Sequence, residues 1–200
     1  MIKLIRHAGL LAAIGLAIPL SGCGGGSNDA IAEGTLRVLL TNTGSSACGY
    51  DVVNISVDAV TINKNPDAMP GDAGWQPTDV PLALRQSRKV DLMARINSAP
   101  LELVTMTVPA AHYAQIRMWL EQDSVLVVKP NWVTPSGASA DTEVALDTSN
   151  AATFRIPYAF TVPANGQVDL TLDFDACRSV INSDGKPKLV PAISATAAGA

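Results

Sequence analysis

Aromatic side chains are scarce, nine in 200 residues, so an extended platform for stacking ligands has little to be built from. Histidine is scarcer still: of two, His7 lies in an apolar leader, which leaves His112. There is no Gly-x-Ser-x-Gly elbow, no His-Glu-x-x-His and no Gly-rich phosphate loop before a helix. A Ser-His-Asp triad is assembled in space and stays open on sequence grounds. The reading is nevertheless non-catalytic. Charged residues make up only 16% of the chain, with a net charge of −4 and no basic run. Such a surface is a poor partner for nucleic acid. No apolar run reaches the ~20 residues of a membrane-spanning helix, and no long helical periodicity is evident.

What the chain does have is alternation. In residues 167–177 (QVDLTLDFDAC), Val168, Leu170, Leu172 and Phe174 fall on one face of an extended chain, and Asp169, Thr171, Asp173 and Asp175 on the other. That period of two predicts a strand with one face in a core and one in water. Further strands are expected at 35–41, 50–62, 80–84, 89–94 and 113–121, the last with 124–128 as hairpin partner. Others follow at 142–146, 153–156, 159–162 and 189–196, and 96–103 reads as one short helical turn beginning at Ser98-Ala99-Pro100. Loops rich in Gly, Pro, Ser and Asn separate them at 42–49, 63–74 and 129–141, the last containing Trp132. Asn165-Gly166 and Asp184-Gly185 mark hairpin turns. Many short strands between turns predict an all-β antiparallel sandwich, immunoglobulin-like or transthyretin-like, with at most one short helix.

The N-terminus is set apart. Lys3, Arg6 and His7 precede an apolar run at 10–20, the length of a signal-peptide core. Leu20-Ser21-Gly22-Cys23 then resembles the lipobox of bacterial lipoproteins. The resemblance implies cleavage before Cys23, a diacylglycerol on its sulfur and an acylated amine; the alternative is an ordinary secretory leader. Several acyl chains give a stable anchor. Gly24, where Asp would favour inner-membrane retention, implies the outer membrane, at its periplasmic face or the cell surface. The expected organisation is therefore leader 1–22, Gly-rich tether 23–33, one domain at 34–196 and a tail at 197–200. Loss of Lys3 and Arg6 takes the net charge from −4 to about −6.

With Cys23 assigned to lipid, Cys48 and Cys177 remain, and in an oxidising compartment they are expected to pair. Two buried free thiols are the other reading. A single histidine beside them does not make a zinc site, and no cofactor is implied.

Several segments together resemble one family. They are Gly34-Thr35-Leu36 leading to Leu39-Leu40-Thr41, Cys48-Gly49-Tyr50-Asp51, and Pro109-x-x-His112-Tyr113-x-Gln115-Ile116-Arg117. Glu143-Val144-Ala145-Leu146 and Asp173-Phe174-Asp175-Ala176-Cys177-x-Ser179-Val180 complete the set. In this order they are similar to a family of bacterial lipoprotein domains of unknown function, over about 34–194. One departure is Asn42, where that family usually has Asp. The resemblance implies a fold and an address, and no reaction.

Three groups of residues are candidates for function. Tyr113, Gln115, Arg117, Trp119 and Glu121 would share a strand face suited to a sugar, with Trp75 and Trp132 able to join from loops; ordinary packing competes with that reading. Asp173 and Asp175, with Asp169, could contribute to a Ca²⁺ site, which needs six to eight oxygens, or form a solvated charged stripe. His112 with nearby carboxylates would serve a hydrolase. The sequence reading settles on a lipid-anchored envelope protein that binds a glycan or a protein partner, with a metal-binding domain or hydrolase as the alternative.

Overall fold

Strict alternation becomes strand wherever one face meets a core. A computed structural model describes residues 31–76 and 88–199, so the leader, Cys23, most of the tether and the strand expected at 80–84 lie outside the described residues. In chain order the strands are β1 (Glu33–Thr41), β2 (Tyr50–Asn63), β3 (Arg88–Asp91), β4 (Leu101–Pro109), β5 (Ala111–Tyr113), β6 (Gln115–Leu120) and β7 (Trp132–Pro135). They continue with β8 (Val144–Ala145), β9 (Thr153–Ile156), β10 (Phe160–Val162) and β11 (Gln167–Phe174). A single-turn helix α1 (Ala176–Ser179) follows, then β12 (Val180–Ser183), β13 (Lys186–Leu189) and β14 (Ile193–Ala198).

The expected all-β sandwich is what forms. One sheet has the order β14-β11-β1-β4, and the other runs β8-β7-β2-β6-β9, with β3 also paired to β2. Leu36, Val38 and Leu40 of β1 and Val168, Leu170, Leu172 and Phe174 of β11 share one buried cluster with Ile55, Ile62, Ile116 and Met118 of the other sheet. Each such side chain contributes about 1.5–3 kcal/mol on leaving water. Phe154 of β9 meets Phe174 edge-on, ring centres 6.1 Å apart. The strand at 167–174 is interior to its sheet, as its alternation suggests, and its partner β1 runs parallel to it, Leu36 opposite Val168 and Thr41 opposite Asp173. That pairing departs from the expected all-antiparallel arrangement. It arises because the chain crosses to the other sheet and back between the two strands.

Other differences have local causes. Residues 96–103 do not start a helix: the 3-10 turn sits at Met93–Arg95, and β4 begins at Leu101. A register shift opposite Val38/Leu39 puts Leu103 and Val104 both inside, which breaks the period of two once within β4. Residues 124–128 form no hairpin with β6 and remain a loop, while Trp132–Pro135, read as loop, is β7. The turn before Gly166 does not join a β10–β11 hairpin, because β10 pairs with β5. Instead it is tied to the start of β1, where Thr35 donates to the Gly166 carbonyl at 2.8 Å. The Asp184-Gly185 turn does join β12 to β13, with φ of 54° and 78° at its two residues. Both values lie in the left-handed region that hairpin turns of this kind require.

Cys48 and Cys177 are joined, with 5.1 Å between their α-carbons. The bond fastens the 42–49 loop to α1. Gly44 allows that loop its close approach, since a Cβ there would sit 2.5 Å from an Asp175 carboxylate oxygen.

Candidate functional site

The proposed ligand face of β6 is roofed. Ala114 breaks the strand between β5 and β6, so Tyr113 leaves the face of Gln115 and Arg117 and enters the main core. Its ring stacks on Phe160 at 5.7 Å and its hydroxyl donates to the Pro109 carbonyl at 2.7 Å. Burial pushes the Tyr113 pKa up. Gln115 is fully buried beneath the 64–76 segment, its amide donating to the carbonyls of Asn65, Pro66 and Ala68. Arg117 is 8% exposed. Its Nη2 donates to the Ala68 carbonyl at 3.3 Å and to Gln115 Oε1 at 3.1 Å, and its guanidinium lies 5.2 Å from the Trp75 ring centre. Burial, and then the charge of Arg155, hold the Arg117 pKa below the usual arginine value. Trp119 is half-buried, with Nε1 donating to Thr61 Oγ1 at 3.4 Å. Glu121 is half-buried as well. These side chains thus pack a second, polar core on the outer side of the larger sheet, and do not present an open face to a sugar. Trp75 donates to the Met69 carbonyl at 3.0 Å within the roof, and Trp132 is carried away from it on β7.

The carboxylates at the end of β11 are also engaged. Asp173 accepts from the Thr43 amide at 2.8 Å and from the Thr43 hydroxyl. Asp175 caps α1 by accepting from the Arg178 amide at 3.0 Å, which satisfies one orphan donor of the first turn. Both line a small cleft of about 330 Å³ with Arg178. Among the described residues no group of three or more His, Cys, Asp or Glu is placed to hold a metal. Asp169 lies four residues before Asp173 and is paired with Arg37. His112 stands exposed on the β5–β10 edge, its Nδ1 3.2 Å from Thr161 Oγ1, and it shares none of these clusters.

A larger cleft of about 590 Å³ opens where three segments meet: Gln122, Asp123 and Asn131, residues 144–149, and Gly185–Pro187. Asp147 lies in it with its carboxyl held below the usual range, first by the Ser149 backbone and side-chain hydrogen bonds and then by Lys188 and Lys186. The 124–128 loop runs between the lining residues Asp123 and Asn131. Val125 is 97% exposed and Leu126 91% exposed, with Val128 also in solvent. The loop is not slack, because Ser124 organises it. The Ser124 amide donates to the Val127 carbonyl at 2.9 Å, and its Oγ accepts the amides of Leu126 and Val127 at 3.3 and 3.0 Å. Lys129, at φ 49°, closes the stem by donating its amide to Asp123 Oδ1 at 2.9 Å. The apolar residues are thus held outward on a defined turn. Sequence reading assigned them to a strand and missed the cleft; the clue was an apolar run with no alternation, ended by Lys129-Pro130.

A family model described as a domain of unknown function (DUF4382) matches residues 33–191. Neither the curated proteins nor the solved structures contain a match to the chain.

Proposed function

Since the chain belongs to the DUF4382 family, a domain of unknown function, we propose from its own surface that it is a non-catalytic, lipid-anchored envelope module whose 122–131 loop and adjoining cleft hold a protein partner. The observation that carries this reading is the turn that fixes Val125, Leu126 and Val128 in water. Covering each on a partner is worth about 1.5–3 kcal/mol, whereas the isolated domain gains nothing by exposing them. The cleft beside them supplies the polar groups that orient a partner: Asp123, Thr148, Ser149 and Lys186.

A protein fits better than a glycan, because Tyr113 is buried in the core, Trp75 is engaged in the roof over Arg117, and Trp119 and Trp132 are half-buried on different strands. It also fits better than an anionic bilayer surface, since Asp123 stands at the stem and Lys129 is paired with Glu143 at 3.4 Å. The anchor rests on Leu20-Ser21-Gly22-Cys23, and the outer-membrane address on Gly24. The Cys48–Cys177 bond accords with an oxidising compartment. The non-catalytic reading is supported by His112, whose ring meets a threonine hydroxyl on an exposed edge.

The test is a photo-crosslinker at position 126 in cells, with Thr105 on exposed β4 as control site. A discrete adduct at 126 alone, competed by excess purified domain but not by its V125D/L126D form, supports the reading. Adducts of the same pattern at both sites, or equal competition by the two forms, overturn it.

A further inference from the structure

Two arginines face each other across β6 and β9. Arg117 and Arg155 are directly opposed in register, with Trp119 opposite Thr153 as the next pair on the same face. Like charges so placed repel, and opposed side chains on paired strands start only about 4.5–5.5 Å apart at their β-carbons. Arg117 is buried and Arg155 is exposed. Among the described residues neither takes part in an ion pair. A guanidinium cation this deep normally has a carboxylate or another anion against it, because burying an uncompensated charge is costly. Here its Nη2 is satisfied by neutral oxygens, while its buried Nε has no hydrogen-bond partner among the described residues. Among the described residues Thr153 Oγ1, one pair along on the same face, is likewise buried without a partner.

We propose that the Arg117–Arg155 pair, with Thr153, forms a binding site for an oxyanion group, carboxylate or phosphate, on the outer face of the larger sheet. An oxyanion there accepts from Arg117 Nε and from the Thr153 hydroxyl, and it draws the Arg155 guanidinium down over it. Its charge offsets the repulsion between the two arginines. The planar guanidinium fork suits both carboxylate and phosphate, and a charge-assisted bond is roughly twice as strong as a neutral one. The Trp75 ring, its centre 5.2 Å from the Arg117 guanidinium carbon, holds that group in position. This site is independent of the loop and cleft proposed for a protein partner, and either can fail without the other.

The test uses the domain with its disulfide intact and reads two signals. Sodium phosphate and sodium acetate are each compared with sodium chloride at equal ionic strength. The melting temperature is expected to rise by several degrees with at least one oxyanion over chloride, and the Arg117 Nε–H resonance is expected to move and saturate in the same titration. The arm that saturates first distinguishes a tetrahedral from a planar ligand. R155Q changes an exposed residue and keeps the fold, and it should abolish both effects; T153V should weaken both. No difference from chloride in the wild-type protein, or an undiminished response in R155Q, overturns the proposal.

Discussion

Asn42 donates its side-chain amide to the Leu92 carbonyl at 3.0 Å while its own oxygen accepts the Gly44 amide at 2.9 Å. The residue is 1% exposed, and it ties the end of β1 to the 3-10 turn after β3. An aspartate here keeps the second bond but sets a second acceptor against the Leu92 carbonyl. N42D should therefore lose about 2–4 kcal/mol, from a buried carboxylate oxygen set against the Leu92 carbonyl, which keeps only its bond from the Arg95 amide. Urea unfolding at unchanged slope is the measurement, and a midpoint equal to wild type would show the contact to be dispensable.

The disulfide closes a chain separation of 129 residues between the 42–49 loop and α1. Chain entropy alone assigns such a closure about 4–5 kcal/mol, and native bonds in secreted domains are worth about 2–5 kcal/mol. C48A/C177A should lose stability in that range and become insensitive to reductant. A double variant as stable as the oxidised protein would mean that the sandwich holds its ends together by packing.

Arg37 and Asp169 are paired across the parallel strands β1 and β11. The hydrogen bond from Arg37, then that from Gln167, hold the Asp169 carboxyl below its usual value, and Arg37 is correspondingly raised. A depressed folded-state carboxyl contributes stability that is fully present above its unfolded value of about 3.9 and is lost as pH falls through the folded value. Acid unfolding of the wild-type protein should steepen below about pH 4, and D169N should flatten that limb and lower stability at neutral pH, where the wild-type carboxylate makes its full contribution. An identical acid limb in D169N would assign the loss to other carboxyls, with Asp147 next in line because it too is depressed.

How much of this was legible follows from how many faces of each strand meet protein. β1 and β11 have one wet face, with alternating burial along their length, so the period of two survives in their sequences. β6 is buried on both faces because the 64–76 segment covers Gln115 and Arg117. Its polar side chains therefore read as a solvent or ligand face when they are a second interior. β2 conceals Asn54 and Ser56 in the same way, under the Pro130 carbonyl that both side chains bond. β4 was lost to its register shift, and β7 to the prolines and serines around Trp132. The candidate cleft was not legible at all, since Asp123, Asp147 and Lys186 come from three separate segments, two loops and the start of β13, that only the fold brings together.

The 124–128 loop separates two explanations of exposed apolar residues. If Val125 and Leu126 serve the fold, replacing them should cost stability. Their exposure of 97% and 91% leaves almost no buried area to lose, and Ser124 holds the turn through backbone amides that the substitution does not touch. V125S/L126S should then unfold within about 0.5 kcal/mol of wild type. S124A, by contrast, removes the acceptor of two amides and should loosen the loop, read as faster proteolysis near residue 126 at an unchanged global midpoint. A binding role requires both results together with failure of the purified V125S/L126S domain to compete for the crosslink at position 126. If that variant unfolds early, the loop is packing against something in the domain itself, and the partner reading loses its ground.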